Sequence, residues 1–262
     1  MRNTSADRSG SSHHRPGAET WPEAEPEPCE GHGIWRVELT LDDGRRARCL
    51  SVLDGSERIR AERFLRREDR DRFLASHAAL RVVLGAVLGI EPAAVAFAVS
   101  PTGRPSLVGQ HAGRLDFNLS HSGTHALVAL STTARIGVDI EVHRPIPDLL
   151  RIARAHFHPR EIAALEEAGP DREAAFFAAW TAKEAFVKAI GVGLSMPLDA
   201  FAVAIPPAPA ELLEAAGALA SAWTLIGLAP VPGATGAVAI DAPRARCRRA
   251  RLPADWADRF SI

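Results

Sequence analysis

The chain has 262 residues, 47% of them hydrophobic and 24% charged, which is enough to bury a sizeable core as one large domain or two small ones. Its net charge of -1 excludes a whole-chain attraction to nucleic acid or an anionic membrane; no apolar run nears the roughly 20 residues of a membrane span, and the N-terminus lacks the apolar core of a signal peptide. A cytoplasmic protein is expected, with Cys29, Cys49 and Cys247 as free or buried thiols, because they lie far apart with no CxxC or metal-finger spacing.

Residues 1 to about 32 are rich in Ser, His, Pro and Glu, with Pro16, Pro22, Pro26 and Pro28 against helix and few large apolar side chains; this predicts a disordered tail in which the His13-His14 pair is incidental. Structure is expected to begin with an alternating strand at Ile34 to Leu39. From Ser56 to Leu88 the pattern is helical, with Phe73, His77, Leu80, Leu84 and Val87 on an inward stripe. Its first half interleaves Arg58, Arg60, Arg63, Arg66, Arg67, Arg70 and Arg72 with acids, so most of these arginines read as salt-bridged surface, and His77 reads as a satisfied core histidine. A short strand at Val95 to Val99 leads into a turn, Ser100 to Pro105. The segment Leu115 to Gly123 precedes a strand at Ala126 to Leu130, and another strand, Ile136 to Glu141, follows a turn at Thr132 to Arg135. Two short helical patterns, Asp148 to His156 and Arg160 to Ala168, flank His158-Pro159, with Pro159 suited to a helix start. A long helix is expected from about Asp171 to Ile190, closed by Gly191 and Gly193, and further strands around Phe201 to Val203, Trp223 to Leu225 and Gly236 to Ile240. The order suggests two similar halves meeting near residue 135.

The chemistry gathers at the end of the long helix, Ala179 to Leu194. Glu184 and Lys188 are four apart and project from one face, with Lys183 beside them. Alone they read as an ordinary solvated pair. Upstream, however, strand alternation puts Asp139 and Glu141 on one face, and Glu184 could join them. Converging carboxylates repel by ~4 kcal/mol per close pair in a partly screened site, and a cation is the natural remedy. An all-oxygen ligand set favours Mg²⁺, which keeps waters and takes substrate phosphate; two exposed acids at a strand end are the plainer reading of Asp139 and Glu141 taken alone. Lys183 and Lys188 would then suit a diphosphate, and His121 could donate to a phosphate oxygen. Ser120 and His121 are unsuited to a hydrolytic dyad, since neighbours on a strand face opposite ways.

Four blocks, Thr102-Gly103-Arg104-Pro105, Phe117 to Gly123, Ile136 to Glu141 and Trp180 to Lys188, occur in an order and spacing that resembles the phosphopantetheinyl transferases of the surfactin-synthetase-activating type. The resemblance covers roughly residues 34 to 242. It implies an α+β fold made of a pseudo-twofold pair of similar subdomains, here 33–135 and 136–246 between the tail (1–32) and a C-terminal extension (247–262), with the active site in the cleft between them. It implies a monomeric enzyme that moves the phosphopantetheine arm of coenzyme A to a serine of an acyl or peptidyl carrier protein, with neither nucleic acid nor membrane as partner. It further implies that Asp139, Glu141 and Glu184 hold Mg²⁺, with Asp139, Glu184 and Lys188 catalytic. Lys188 and Lys183 would bind the diphosphate; Ser120 and His121 join the coenzyme-binding set, His121 at the 3'-phosphate; Arg60 and Arg72 would grip that phosphate, and Gly103, Arg104 and Pro105 would line the adenine end. The departure is Glu57, where the family often carries a lysine, so that Arg58 or Arg63 would rebuild the grip. The alternatives are a Mg²⁺-dependent phosphohydrolase and a non-catalytic coenzyme A binding or regulatory module.

Overall fold

The computed structural model describes residues 20–27, 30–193, 196–215 and 220–259, so His13, His14 and Cys29 lie outside the described residues. The chain runs β1 (His32–Glu38), α1 (Asp43–Val52), α2 (Gly55–Glu62), α3 (Arg67–Leu88), β2 (Phe97–Val99), β3 (Pro105–Leu107), β4 (Asp116–Ser122) and β5 (His125–Ser131). It then repeats the order: β6 (Ile136–Val142), α4 (Leu149–His156), α5 (Pro159–Glu167), α6 (Arg172–Ile190), β7 (Ala202–Val203), β8 (Leu212–Glu214), β9 (Thr224–Leu228) and β10 (Ala234–Ile240), before a final β11 (Arg248–Arg251). Each half has the same sheet topology. In the first, β1 pairs antiparallel with β5 and β5 with β4; in the second, β6 pairs antiparallel with β10 and β10 with β9. A two-stranded hairpin, β2-β3 or β7-β8, follows the long helix in each half. This is the α+β, two-subdomain architecture expected from the sequence.

The sheets stack as inner layers between the two long helices. Alternate residues of one strand therefore go to different cores: on β5, Val128 and Leu130 pack toward α3, while Leu127 and Ala129 meet Ile136, Val138, Val238 and Ile240 from the other sheet. Ala237 and Ala239 of β10 face α6 instead. Strands buried on both faces explain the continuous apolar runs in the sequence. Small residues set the distance between α6 and β6, since a Cβ on Gly137 would collide with the Ala185 carbonyl and the Ala189 amide. Helix boundaries follow local chemistry. Asp54 caps α2 by accepting from the Glu57 amide at 2.9 Å while Glu57 reaches back to the Asp54 amide at 3.1 Å, and α3 and α6 end on Gly89 and Gly191 in the left-handed region.

The expected tail to residue 32 is too long. Trp21 is buried against Ile34 and Leu127, Ala24 donates to the Arg251 carbonyl at 3.1 Å, and Arg251 donates to the Pro22 carbonyl at 2.9 Å. The C-terminal segment is likewise part of the first half's sheet, because β11 pairs parallel with β1. Both were hidden by composition: of Arg248 to Arg251 only Ala250 is buried, and α1 buries only Cys49 and Val52.

Candidate active site

The two sheets meet where β4 runs beside β6, and side chains rather than a backbone ladder join them. On β4, Asp116, Asn118, Ser120 and Ser122 share one face by strand alternation. Asp116 Oδ2 accepts from the Ile136 amide at 2.7 Å, Asn118 Oδ1 from the Val138 amide at 3.0 Å, and Ser122 Oγ from the Val142 amide at 3.1 Å. Phe117, on the opposite face, anchors β4 in the first core. The seam thus fixes β6 against β4 and sets Ser120 and Ser122 opposite the acids of β6.

Asp139 is buried, and its Oδ1 accepts from Lys188 Nζ at 2.6 Å and from Ser120 Oγ at 2.7 Å. Lys188 also donates to Ser120 Oγ at 3.0 Å. Glu141 Oε2 accepts from Ser122 Oγ at 2.9 Å. Glu184 arrives from α6, half-buried; desolvation raises its pKa, the charges of Asp139 and Glu141 raise it further, and Lys188 opposes them. Glu184 is thus within reach of the charges of Asp139, Lys188 and Glu141. Among the described residues no three His, Cys, Asp or Glu side chains form a ready-made metal cluster. The donor set nonetheless suits a hard divalent cation: it is all oxygen, and Asp139 Oδ2 is buried without a hydrogen-bond partner.

Positive charge gathers beside these acids. The His121 pKa is lowered, by desolvation first and then by the charges of His77, Lys188, Arg72 and Arg60. That set brings β4, α2, α3 and α6 to one place. A cleft of about 540 Å³ opens there, lined by Arg60, Arg63 and His77 together with the acids Asp54 and Glu57, and by Gly103, Pro105 and Asn118. Arg60 lies over the Phe73 ring at 5.1 Å, and Arg72 pairs with Asp69. A second hollow of about 260 Å³, lined by Glu141, Ile146, Ile152, Phe176 and Trp180, flanks the acids on the other side.

Two expected ligands point elsewhere. Lys183 is fully buried and donates to Glu161 Oε1 at 2.6 Å and to the Phe201 carbonyl at 2.7 Å, so it cannot bind a diphosphate beside Glu184. Successive helix residues diverge by about 100°, which puts Lys183 in the core when Glu184 faces the seam. Arg104 also departs from the adenine-end role: its guanidinium binds Asp116 Oδ2 at 2.7 Å, the Ile136 carbonyl at 3.0 Å and the Ala189 carbonyl at 3.2 Å, clamping β4, β6 and α6 together. Arg58 donates to the carbonyls of Leu53 and Ser51, whereas Arg63 reaches the cleft. Sequence reasoning missed the polar face of β4, although Asp116, Asn118, Ser120 and Ser122 alternate strictly with apolar Phe117 and Leu119. It also took His77 for a core residue, while the structure sets it on the wall of the cleft.

The chain is similar in sequence to known proteins. Residues 135–240 match a family model described as the 4'-phosphopantetheinyl transferase superfamily, and residues 44–133 match one for the N-terminal part of 4'-phosphopantetheinyl transferase. The 4'-phosphopantetheinyl transferase HetI of Nostoc sp. is 38% identical over 210 residues, covering 79% of this chain and 86% of its own. The 4'-phosphopantetheinyl transferase Sfp of Bacillus subtilis is 31% identical over 173 residues, covering 66% of this chain and 75% of its own.

Proposed function

Because the chain belongs to the 4'-phosphopantetheinyl transferase superfamily, we propose that it moves the phosphopantetheine arm of coenzyme A onto a serine hydroxyl of an acyl or peptidyl carrier protein. The carrying observation is Lys188 bound to Asp139 at the seam, with Glu184 feeling the charges of Asp139, Lys188 and Glu141, beside a cleft lined by Arg60, Arg63 and His77 as well as Asp54 and Glu57.

In this reading the cleft takes the nucleotide end of the coenzyme, with Arg60, Arg72 and His121 toward its 3'-phosphate and Gly103 and Pro105 along the base. Lys188 neutralises the diphosphate while Ser120 holds the ammonium and Asp139 in register. Asp139, Glu141 and Glu184 would hold Mg²⁺, which supplies charge neutralisation on the diphosphate as its bond to the leaving group breaks. Glu184 takes the proton from the carrier serine Oγ. The serine oxygen bonds to the phosphorus of the phosphopantetheine, and adenosine 3',5'-bisphosphate leaves with the bridging oxygen. Such transfers depend mainly on positioning and charge stabilisation, which this group of residues provides.

Intact-mass spectrometry of an apo carrier protein incubated with this protein and coenzyme A, with Mg²⁺ or with chelator, tests the proposal. A phosphopantetheine mass gain that requires metal and Glu184 is the expected result. Unmodified carriers together with tight coenzyme binding would favour the non-catalytic binding module, and release of free phosphopantetheine without a carrier would favour the phosphohydrolase.

A further inference from the structure

His77 sits one turn beyond Phe73 on α3, against the Phe73 ring at 4.0 Å between centroids, and lines the cleft. Its Nδ1 lies 2.8 Å from Glu57 Oε1. Glu57 is an ionised partner: burial pushes its pKa up, but the hydrogen bond to His77 and the charges of Arg81 and His77 outweigh this and hold it below the ordinary carboxylate value. Glu57 is itself fixed from behind. Fully buried Arg81 donates to Glu57 Oε2 at 2.7 Å, to Asp54 Oδ2 at 2.7 Å and to the Val95 carbonyl at 2.6 Å. A chain of Arg81, Glu57 and His77 therefore runs from the core to the cleft wall. Nδ1 carries the proton toward Glu57, which leaves Nε2 as the ring's second polar atom.

We propose that His77, oriented by Glu57, is a 3'-phosphate-binding residue of this chain, presenting Nε2 to the phosphate alongside Arg60, Arg72 and His121. The acid at position 57 then does not weaken the grip on the phosphate. It presents a histidine to it, while the buried Arg81 neutralises the acid through its other oxygen. The inference rests on the coenzyme reading above and names one residue of that site.

Titration calorimetry on the full chain with coenzyme A and with 3'-dephospho-coenzyme A separates the two ideas. The wild type is expected to prefer coenzyme A. In His77→Gln, affinity for coenzyme A falls about tenfold or more, as expected for losing a charge-assisted hydrogen bond, while affinity for the dephospho form stays unchanged. His77→Lys keeps most of the preference, which a merely structural histidine would not allow. Glu57→Gln, acting through His77, lowers the preference by a smaller factor. If His77→Gln discriminates as well as the wild type, or weakens both ligands equally, the role of His77 is overturned while the coenzyme reading stands. If the wild type binds neither form, the coenzyme reading itself falls and takes this proposal with it.

Discussion

Glu184 shows how a single side chain is made costly in order to be useful. Desolvation and the charges of Asp139 and Glu141 raise its pKa, so the folded protein binds its proton more tightly than the unfolded chain does. Stability contributed by this group is therefore highest at low pH and falls as pH rises from the ordinary glutamate value through the raised one. Glu184→Gln removes the charge and keeps the shape. In metal-free buffer its thermal midpoint at pH 7.5 is expected to rise by roughly 2–4 °C, a gain that shrinks as the pH is lowered toward the ordinary glutamate range. Transfer to a carrier serine is expected to drop by about 10²- to 10⁴-fold, the usual loss for a general base. Calorimetric scans across pH and the mass assay measure the two effects separately. Alternation on β6 and a four-residue helical spacing placed the acids on their faces, but taken alone these patterns read as solvated surface, and the resemblance of the four sequence blocks was needed to single them out. The histidine of the cleft wall was not legible, because helical periodicity reports which face of α3 is turned inward without distinguishing a core from a cleft.

At the scale of elements, Lys183 and Glu161 join three of them. Glu161 Oε1 accepts from Lys183 Nζ at 2.6 Å and from the Val203 amide at 2.7 Å, and Oε2 accepts from the His158 amide at 2.9 Å, so α5, α6 and β7 share one buried carboxylate. Burial lowers the Lys183 pKa while Glu161 pulls it back up. Removing one partner leaves an uncompensated buried charge. Lys183→Met is accordingly expected to lose about 3–5 kcal/mol in denaturant unfolding, and the double variant with Glu161→Gln to recover part of that. Any coenzyme affinity of the folded Lys183→Met fraction should match the wild type, since Lys183 lies outside the seam. The sequence placed Lys183 beside Glu184 correctly along the chain but on the wrong face. No partner pattern marks Glu161, 22 residues upstream on another helix, as its mate. The long helices and central strands were legible because their periodicity runs over many residues. α1, β8 and β11 were not, because their burial is decided by neighbours far along the chain.

The whole molecule is two similar halves joined along β4 and β6. The order of strands and a long helix in each half suggested two similar halves, but the hairpins and the joint were not legible, the joint because it is built of polar side chains that propensity assigns to loops. Three side chains of β4 hold alternate amides of β6, those of Ile136, Val138 and Val142. In an antiparallel strand successive amides point opposite ways, so those of Gly137, Asp139 and Glu141 turn toward β10. Solvent exchange of deuterium into β6 therefore reads two interfaces from one strand. Asn118→Ala is expected to speed exchange at Val138 at least tenfold, in line with a lost hydrogen bond of about 1.4 kcal/mol or more, while Gly137 and Asp139 keep their wild-type protection. Equal acceleration at all three would mean that the second sheet itself opens. β6 thus carries an odd and an even channel of isotope uptake, one sensing its own sheet and the other the grip of the opposite half.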